Sequence, residues 1–265
     1  MNNRVYIKSV AIATNPNKNG YWCKLPFYKE LAKGKEINFD SPITFIIGEN
    51  GSGKSTLIEG LSVALGYNAE GGSKNFCFST KNSTSQLYND LIIAKSGYEE
   101  DGFFLRAESL YNVATNIDDL NLNINNYGGK SLHNQSHGES FLSLVENRFR
   151  GNGLYILDEP EAALSPMRQL NLIMEINRLV NSNSQFIIAT HSPILLSFPN
   201  AKIYCIDNGI EEKNFKETEH YTVTKSFLDN PESYLHKLLK SIFKCHLITK
   251  KNTKNFICQR TNQAL

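Results

Sequence analysis

What the chain lacks narrows its class before any motif is considered. Its 265 residues contain no apolar run long enough to cross a bilayer, so a membrane-spanning role is excluded. The opening MNNRVYIKSV has neither the apolar core nor the small-residue cleavage site of a secretory leader, and a cytoplasmic location is expected. The five cysteines, Cys23, Cys77, Cys205, Cys245 and Cys258, are odd in number and scattered, without a Cys-x-x-Cys pair. Neither a disulfide framework nor a cysteine zinc site is indicated. Charge of one sign is not in excess either: 28 Lys and Arg stand against 26 Asp and Glu, and a formal net charge of +2 gives no global attraction to nucleic acid. The exception is local. From Lys237 to Arg260 the chain carries basic residues and no acidic one, which reads as a solvated, frayed end or as a nucleic-acid or partner contact. No internal repeat and no heptad run long enough for a coiled-coil arm is visible. The length and composition fit one globular domain over residues 1–265, with about 246–265 as the basic tail.

What is present is a series of short β-branched or aromatic runs: Val5 to Ile12, Ile43 to Ile47, Phe103 to Leu105, Leu154 to Leu157, Phe186 to Ala189 and Ile203 to Ile206. Strands apolar on both faces, alternating with helical stretches, predict an α/β fold with a mostly parallel sheet flanked by helices. Ser165-Pro166 marks a helix start, followed by an apolar stripe through about Val180. Another helix begins inside a glycine-rich stretch, with Leu57, Ile58, Leu61 and Leu65 on one side. The Asn-, Ser- and Gly-rich segments 68–86 and 116–136 read as loops.

Residues 48–55, GENGSGKS, match G-x-x-x-x-G-K-[ST] with the required strand before and helix after. Glycines let the loop wrap phosphate oxygens, and backbone N–H groups from about Gly51 to Thr56 point inward at the positive end of the helix. Gly48, Asn50, Gly51, Ser52, Gly53, Lys54, Ser55 and Thr56 are therefore the expected nucleotide-binding residues, with Lys54 reaching the β- and γ-phosphates and Ser55 a ligand of Mg2+. A second apolar strand ends in Asp158 and Glu159, at the carboxyl edge where parallel sheets bind ligands. Asp158 can hold the metal and Glu159 can accept a proton from an attacking water; the plainer reading is an acidic pair capping a helix, and the two are compatible. A third strand ends in Thr190, His191 and Ser192, where the histidine can bond the γ-phosphate or orient water.

Taken in order, GENGSGKST, SHGES (136–140), LDEPEAALS (157–165) and THSP (190–193) resemble the ATP-binding cassette ATPases, and most closely small stand-alone bacterial proteins of the AAA-family ATPase kind. The resemblance covers about residues 4–245 and includes GFFLRAES (102–109). It implies a P-loop NTPase fold with an N-terminal antiparallel β portion, ATP and Mg2+ as ligands, and hydrolysis. Asp158 and Glu159 then match the metal-holding and catalytic carboxylates, and His191 the switch histidine. Ser136 and Gly138 match a signature that contacts the γ-phosphate held by a second subunit, so a nucleotide-dependent homodimer is implied; capping of a surface helix by Ser136 with Glu139 is the local alternative. The signature departs from the transporter form, which argues against a membrane transporter partner. The glutamine that senses the metal has no clear counterpart. Glu108 is the candidate, against a structural carboxylate paired with Arg106. Tyr21, Trp22 and Phe27 are candidates for stacking on adenine. Three functions remain open: an ATPase that drives a partner effector, an ATP-occupancy switch with little turnover, and a nucleic-acid-associated module using the basic tail.

Overall fold

Five of the six apolar runs lie side by side in one six-stranded sheet. The computed structural model describes residues 4–17, 19–74, 85–120 and 122–239. Along the chain come β1 (Ile7–Ile12), α1 (Pro26–Ala32), β2 (Ile37–Asn38), β3 (Ile43–Ile47), α2 (Lys54–Ala64), β4 (Leu91–Lys95), β5 (Asp101–Arg106) and α3 (Leu110–Asp119). They are followed by α4 (His137–Arg148), β6 (Gly153–Asp158), α5 (Pro166–Val180), β7 (Gln185–Ala189), α6 (Pro193–Leu196), β8 (Lys202–Cys205), β9 (Glu211–Glu212) and α7 (Glu219–Asp229). The large sheet has the order β5-β6-β7-β3-β8-β9, parallel throughout except for the antiparallel β8–β9 edge.

Alternation along these strands builds two cores, one per face. Phe45, Leu105, Leu157 and Ile188 point to the side covered by α3, α4 and α5, where Val113, Phe141 and Leu172 meet them. Ile46, Phe104, Ile156 and Ile187 point the other way, against Phe27, Ile58 and Leu61 of α1 and α2. The strand β3 between β7 and β8 is buried along its whole length, which is why its run reads as Ile and Phe with only Thr44 among them.

Val5 to Ile12 stays out of the parallel sheet and forms the N-terminal antiparallel portion that the resemblance implies. It supplies β1, the middle strand of a separate antiparallel sheet ordered β2-β1-β4. Gln185 ties the two sheets together: its Oε1 accepts from the backbone N–H of Tyr6 (2.7 Å) and Ile7 (2.9 Å), and its Nε2 donates to the carbonyls of Ile7 (3.0 Å) and Phe39 (3.3 Å). The segment 116–136 is not wholly loop. Its first residues complete α3, whose Leu110, Val113, Ala114 and Ile117 are buried at helical spacing.

The chain divides into two compact units, Met1–Phe215 and Lys216–Leu265. The described part of the second holds α7, capped by Thr218 accepting from the Tyr221 N–H at 3.3 Å, and helical residues 231–239. The basic tail 246–265, with Cys258, lies outside the described residues, as do Cys77 and Cys245. Among the described residues no helix is long and apolar enough to cross a membrane.

Candidate active site

Three strand ends meet at the carboxyl edge of the large sheet. β3 runs into the phosphate loop, which turns through Gly53 (φ 98°) into α2. A side chain on Gly53 would collide with Leu25 Cδ1 at 2.7 Å and Phe27 Cε1 at 2.8 Å, so glycine is required by both conformation and packing. At Gly48 the crowding atoms are polar: a Cβ would lie 2.7 Å from Asp207 Oδ1 and from Ser52 Oγ. That same Asp207 oxygen accepts the Glu49 N–H at 2.5 Å and so holds the loop's first turn. Lys54 folds back over the loop and donates to the carbonyls of Gly48 (2.9 Å) and Glu49 (3.1 Å). Burial pushes its ammonium pKa down, while Glu159, Asp207, Asp158 and Glu161 pull it back up.

Ser55, on the first turn of α2, donates to Asp158 Oδ1 at 3.4 Å. Asp158 is buried, and burial raises its carboxyl pKa to about 6 even though the Arg106 guanidinium opposes the rise; Glu159 and Glu108 add to it. A hydroxyl and one carboxylate oxygen are hard donors of the kind that hold Mg2+ when phosphate oxygens and water complete its shell. Among the described residues no cluster of three or more His, Cys, Asp or Glu could cage a metal alone. The donor set therefore fits a magnesium ion that arrives with phosphate.

Glu159 sits in the left-handed region at φ 50°, ψ 53°, a strained conformation for a non-glycine residue that turns the chain sharply out of β6. Its Oε1 lies 3.7 Å from His191 Nε2. The histidine is itself positioned by Glu161, whose Oε1 accepts the His191 N–H at 2.5 Å and whose Oε2 accepts the Thr190 hydroxyl at 2.7 Å. Ser192 caps α6 through the N–H groups of Ile194 (3.1 Å) and Leu195 (3.2 Å), and donates to Gln169 Oε1 at 2.5 Å.

Ser136 and Gly138 form a separate cluster at the start of α4. Glu139 Oε2 accepts from the Ser136 N–H (3.0 Å) and hydroxyl (2.7 Å), while Arg168 donates to Ser136 Oγ (3.2 Å) and Glu139 Oε1 (3.0 Å). Ser136 is exposed; Gly138 is buried, with space for a Cβ closed off by the Ala163 carbonyl at 2.7 Å and Arg168 Nη1 at 2.6 Å. Within one chain this segment is a capped helix start, the local alternative weighed from its sequence.

A family profile described as AAA domain matches residues 26–257. The chain belongs to the AAA domain family. It is a P-loop ATPase domain, and the match runs across the boundary between the two compact units. Chromosome partition protein Smc of Halothermothrix orenii is 49% identical over 43 residues, 16% of this chain and 4% of that protein. Among solved structures, the SMC head domain from Thermotoga maritima aligns over 79% of this chain and 99% of its own at 14% identity and a TM-score of 0.43. The cbiO1 protein from Clostridium perfringens, described as part of the ABC transporter complex cbiONQ, aligns over 89% and 100% at 18% identity and a TM-score of 0.47.

The AAA domain thus gathers Lys54, Ser55, Asp158, Glu159 and His191 in one place. Arg106 does not pair with Glu108: its Nε donates to Asp158 Oδ2 at 2.9 Å and its Nη1 to Glu59 Oε2 at 3.3 Å. The reason is register, because Arg106 and Asp158 are direct partners across β5 and β6, while Glu108 follows on an exposed turn. Of the aromatic candidates, Phe27 is fully buried and Trp22 is buried with its Nε1 donating to Asp90 Oδ2 at 3.0 Å. Tyr21 alone of the three is open, 57% exposed, with its hydroxyl 3.2 Å from Thr56 Oγ1. The sequence offers Arg106 only as a partner for Glu108 and does not single out Glu161 or Asp207. Glu161 had a readable signal as the third acid of DEPE; Asp207 had none.

Proposed function

We propose that this chain hydrolyses ATP with Mg2+ in a homodimer, each copy's phosphate loop facing the other's Ser136 segment, and that closure and reopening of the pair act on a partner protein. The observation that carries the hydrolytic part is the Ser55–Asp158 contact of 3.4 Å with Glu159 and His191 beside it. Ser55 and Asp158 would hold the ion, which when bound neutralises charge on the phosphates. Lys54, held by the loop carbonyls, offers its ammonium to the phosphate oxygens. Glu159 accepts the proton of the water that attacks the γ-phosphorus, the bond to the bridging oxygen breaks, and ADP and phosphate remain. His191, with Nε2 3.7 Å from the Glu159 carboxylate, offers a donor to the γ-phosphate. Tyr21 is the surface on which adenine would rest.

The dimeric part is supported by the exposure of Ser136 at a helix N-terminus, a position that favours an anion; in the single chain the Glu139 carboxylate stands there, and a second copy's γ-phosphate would compete with it. Two copies joined by two triphosphates lose charge-assisted bonds from both sides when a γ-phosphate leaves, which is a differential contact able to shift an open and closed equilibrium. Glu159→Gln is expected to lower turnover by about a hundredfold or more while retaining ATP, and to accumulate a dimer. Lys54→Ala is expected to abolish nucleotide binding. Size-exclusion chromatography of the Gln variant with ATP and Mg2+ is the test; a monomer there removes the sandwich. An ATP-occupancy switch predicts instead that wild-type turnover is already too slow for the Gln variant to change.

A further inference from the structure

Arg106 closes a chain of contacts that ends at the carboxylate assigned to the metal. Glu59, on α2, accepts the Ser85 N–H on Oε1 at 2.9 Å and Arg106 Nη1 on Oε2 at 3.3 Å. Arg106 Nε then donates to Asp158 Oδ2 at 2.9 Å, and the remaining oxygen, Oδ1, faces Ser55 Oγ at 3.4 Å. The arginine side chain is largely buried, 17% exposed, with its guanidinium 5.6 Å from the centre of the Phe104 ring. An aspartate carboxylate otherwise rotates broadly about its last torsion and can present either oxygen or both. Here one oxygen is taken and the other is aimed at the serine of the phosphate loop.

We infer that Arg106 is a positioning residue for the magnesium site: by occupying Oδ2 it makes Asp158 a one-oxygen donor pointed at Ser55, and through Glu59 it sets that geometry against the helix that carries the phosphate loop. The inference rests on the assignment of Ser55 and Asp158 to the metal. A guanidinium suits the task because its planar fork spans two carboxylates at once, which a lysine ammonium on a flexible stem does not do equally well. An arginine that only stabilised the fold would leave the metal dependence of nucleotide binding unchanged. A positioning arginine changes that dependence and leaves metal-free binding alone.

The experiment measures the affinity of the full chain for a fluorescent ADP analogue in excess Mg2+ and in EDTA, for wild type, Arg106→Met, Arg106→Lys and Asp158→Asn. In Arg106→Met the gain in affinity on adding Mg2+ is expected to shrink about 10- to 100-fold, as for other groups that orient a metal ligand, with the affinity in EDTA within about twofold of wild type. Arg106→Lys is expected to lie between. A full magnesium gain in a cooperatively melting Arg106→Met overturns the inference. If that variant does not melt cooperatively, Arg106→Lys decides: loss of part of the gain supports the role, and a full gain overturns it. Asp158→Asn separates the two layers. Should it too keep the full gain, the metal assignment itself falls; if it loses the gain while the Arg106 variants keep it, only the role of Arg106 falls.

Discussion

Asp158 is a carboxylate removed from water and placed between other acids, and that cost is measurable in the protein without ligand. Its carboxyl pKa is raised to about 6 by burial, against an ordinary value of 3.8. Below about pH 4 the group is protonated folded or unfolded; between about pH 4 and 6 the folded chain keeps a proton that the unfolded chain has released, so this group's contribution to stability is lost as pH rises through that window. Above it the contribution is flat. With metal chelated, the melting temperature of Asp158→Asn minus that of wild type is therefore expected to grow from pH 4 to 6 and then level off; a difference constant with pH would contradict the raised pKa. Single residues were legible where the chemistry is local to the chain. Lys54 and Ser55 follow from a loop read in order, but Arg106 was read with Glu108, two positions along, because its true partner is 52 residues away.

Among the elements, the antiparallel sheet joins the parallel one through a side chain. Gln185, at the start of β7, satisfies the Tyr6 and Ile7 N–H groups and the Ile7 and Phe39 carbonyls in a fully buried position. Gln185→Leu strands those groups without water, at about 1–3 kcal/mol for each left unsatisfied. Urea unfolding is expected to show a loss of at least about 2 kcal/mol; less than about 0.5 kcal/mol would mean the two sheets hold together without the amide. Strands buried on both faces, β3, β6 and β7, were legible as plain apolar runs. β4 was not, because Leu91–Lys95 is half exposed and its residues follow no clean alternation. α3 hid beneath an Asn-rich composition although its buried residues keep helical spacing. Composition outweighs period there, and the last residues of the helix, 116–119, fall in the stretch that reads as loop.

For the molecule as a whole, the Ser136 segment separates a local role from an assembly role. As a cap in one chain, Ser136 to Ala costs about 0.5–2 kcal/mol of stability and nothing more. As part of a nucleotide sandwich, the same change in a Glu159→Gln background is expected to weaken the ATP-dependent dimer about tenfold or more, from loss of charge-assisted bonds at two related sites. Analytical ultracentrifugation with ATP and Mg2+ distinguishes them: an unchanged dimer in the double variant leaves Ser136 as a cap only. The sequence by itself determined the phosphate loop, the strand-end acids Asp158 and Glu159, and the parallel α/β class, because each depends on neighbouring residues and on the period of burial along one segment. Only the tertiary structure decided which side chains meet: Arg106 with Asp158, Glu161 with His191 and Asp207 with Glu49, pairs 52, 30 and 158 positions apart in the chain. Strand register and the order in which strands lie beside one another set those meetings, and neither is written in any single stretch of residues.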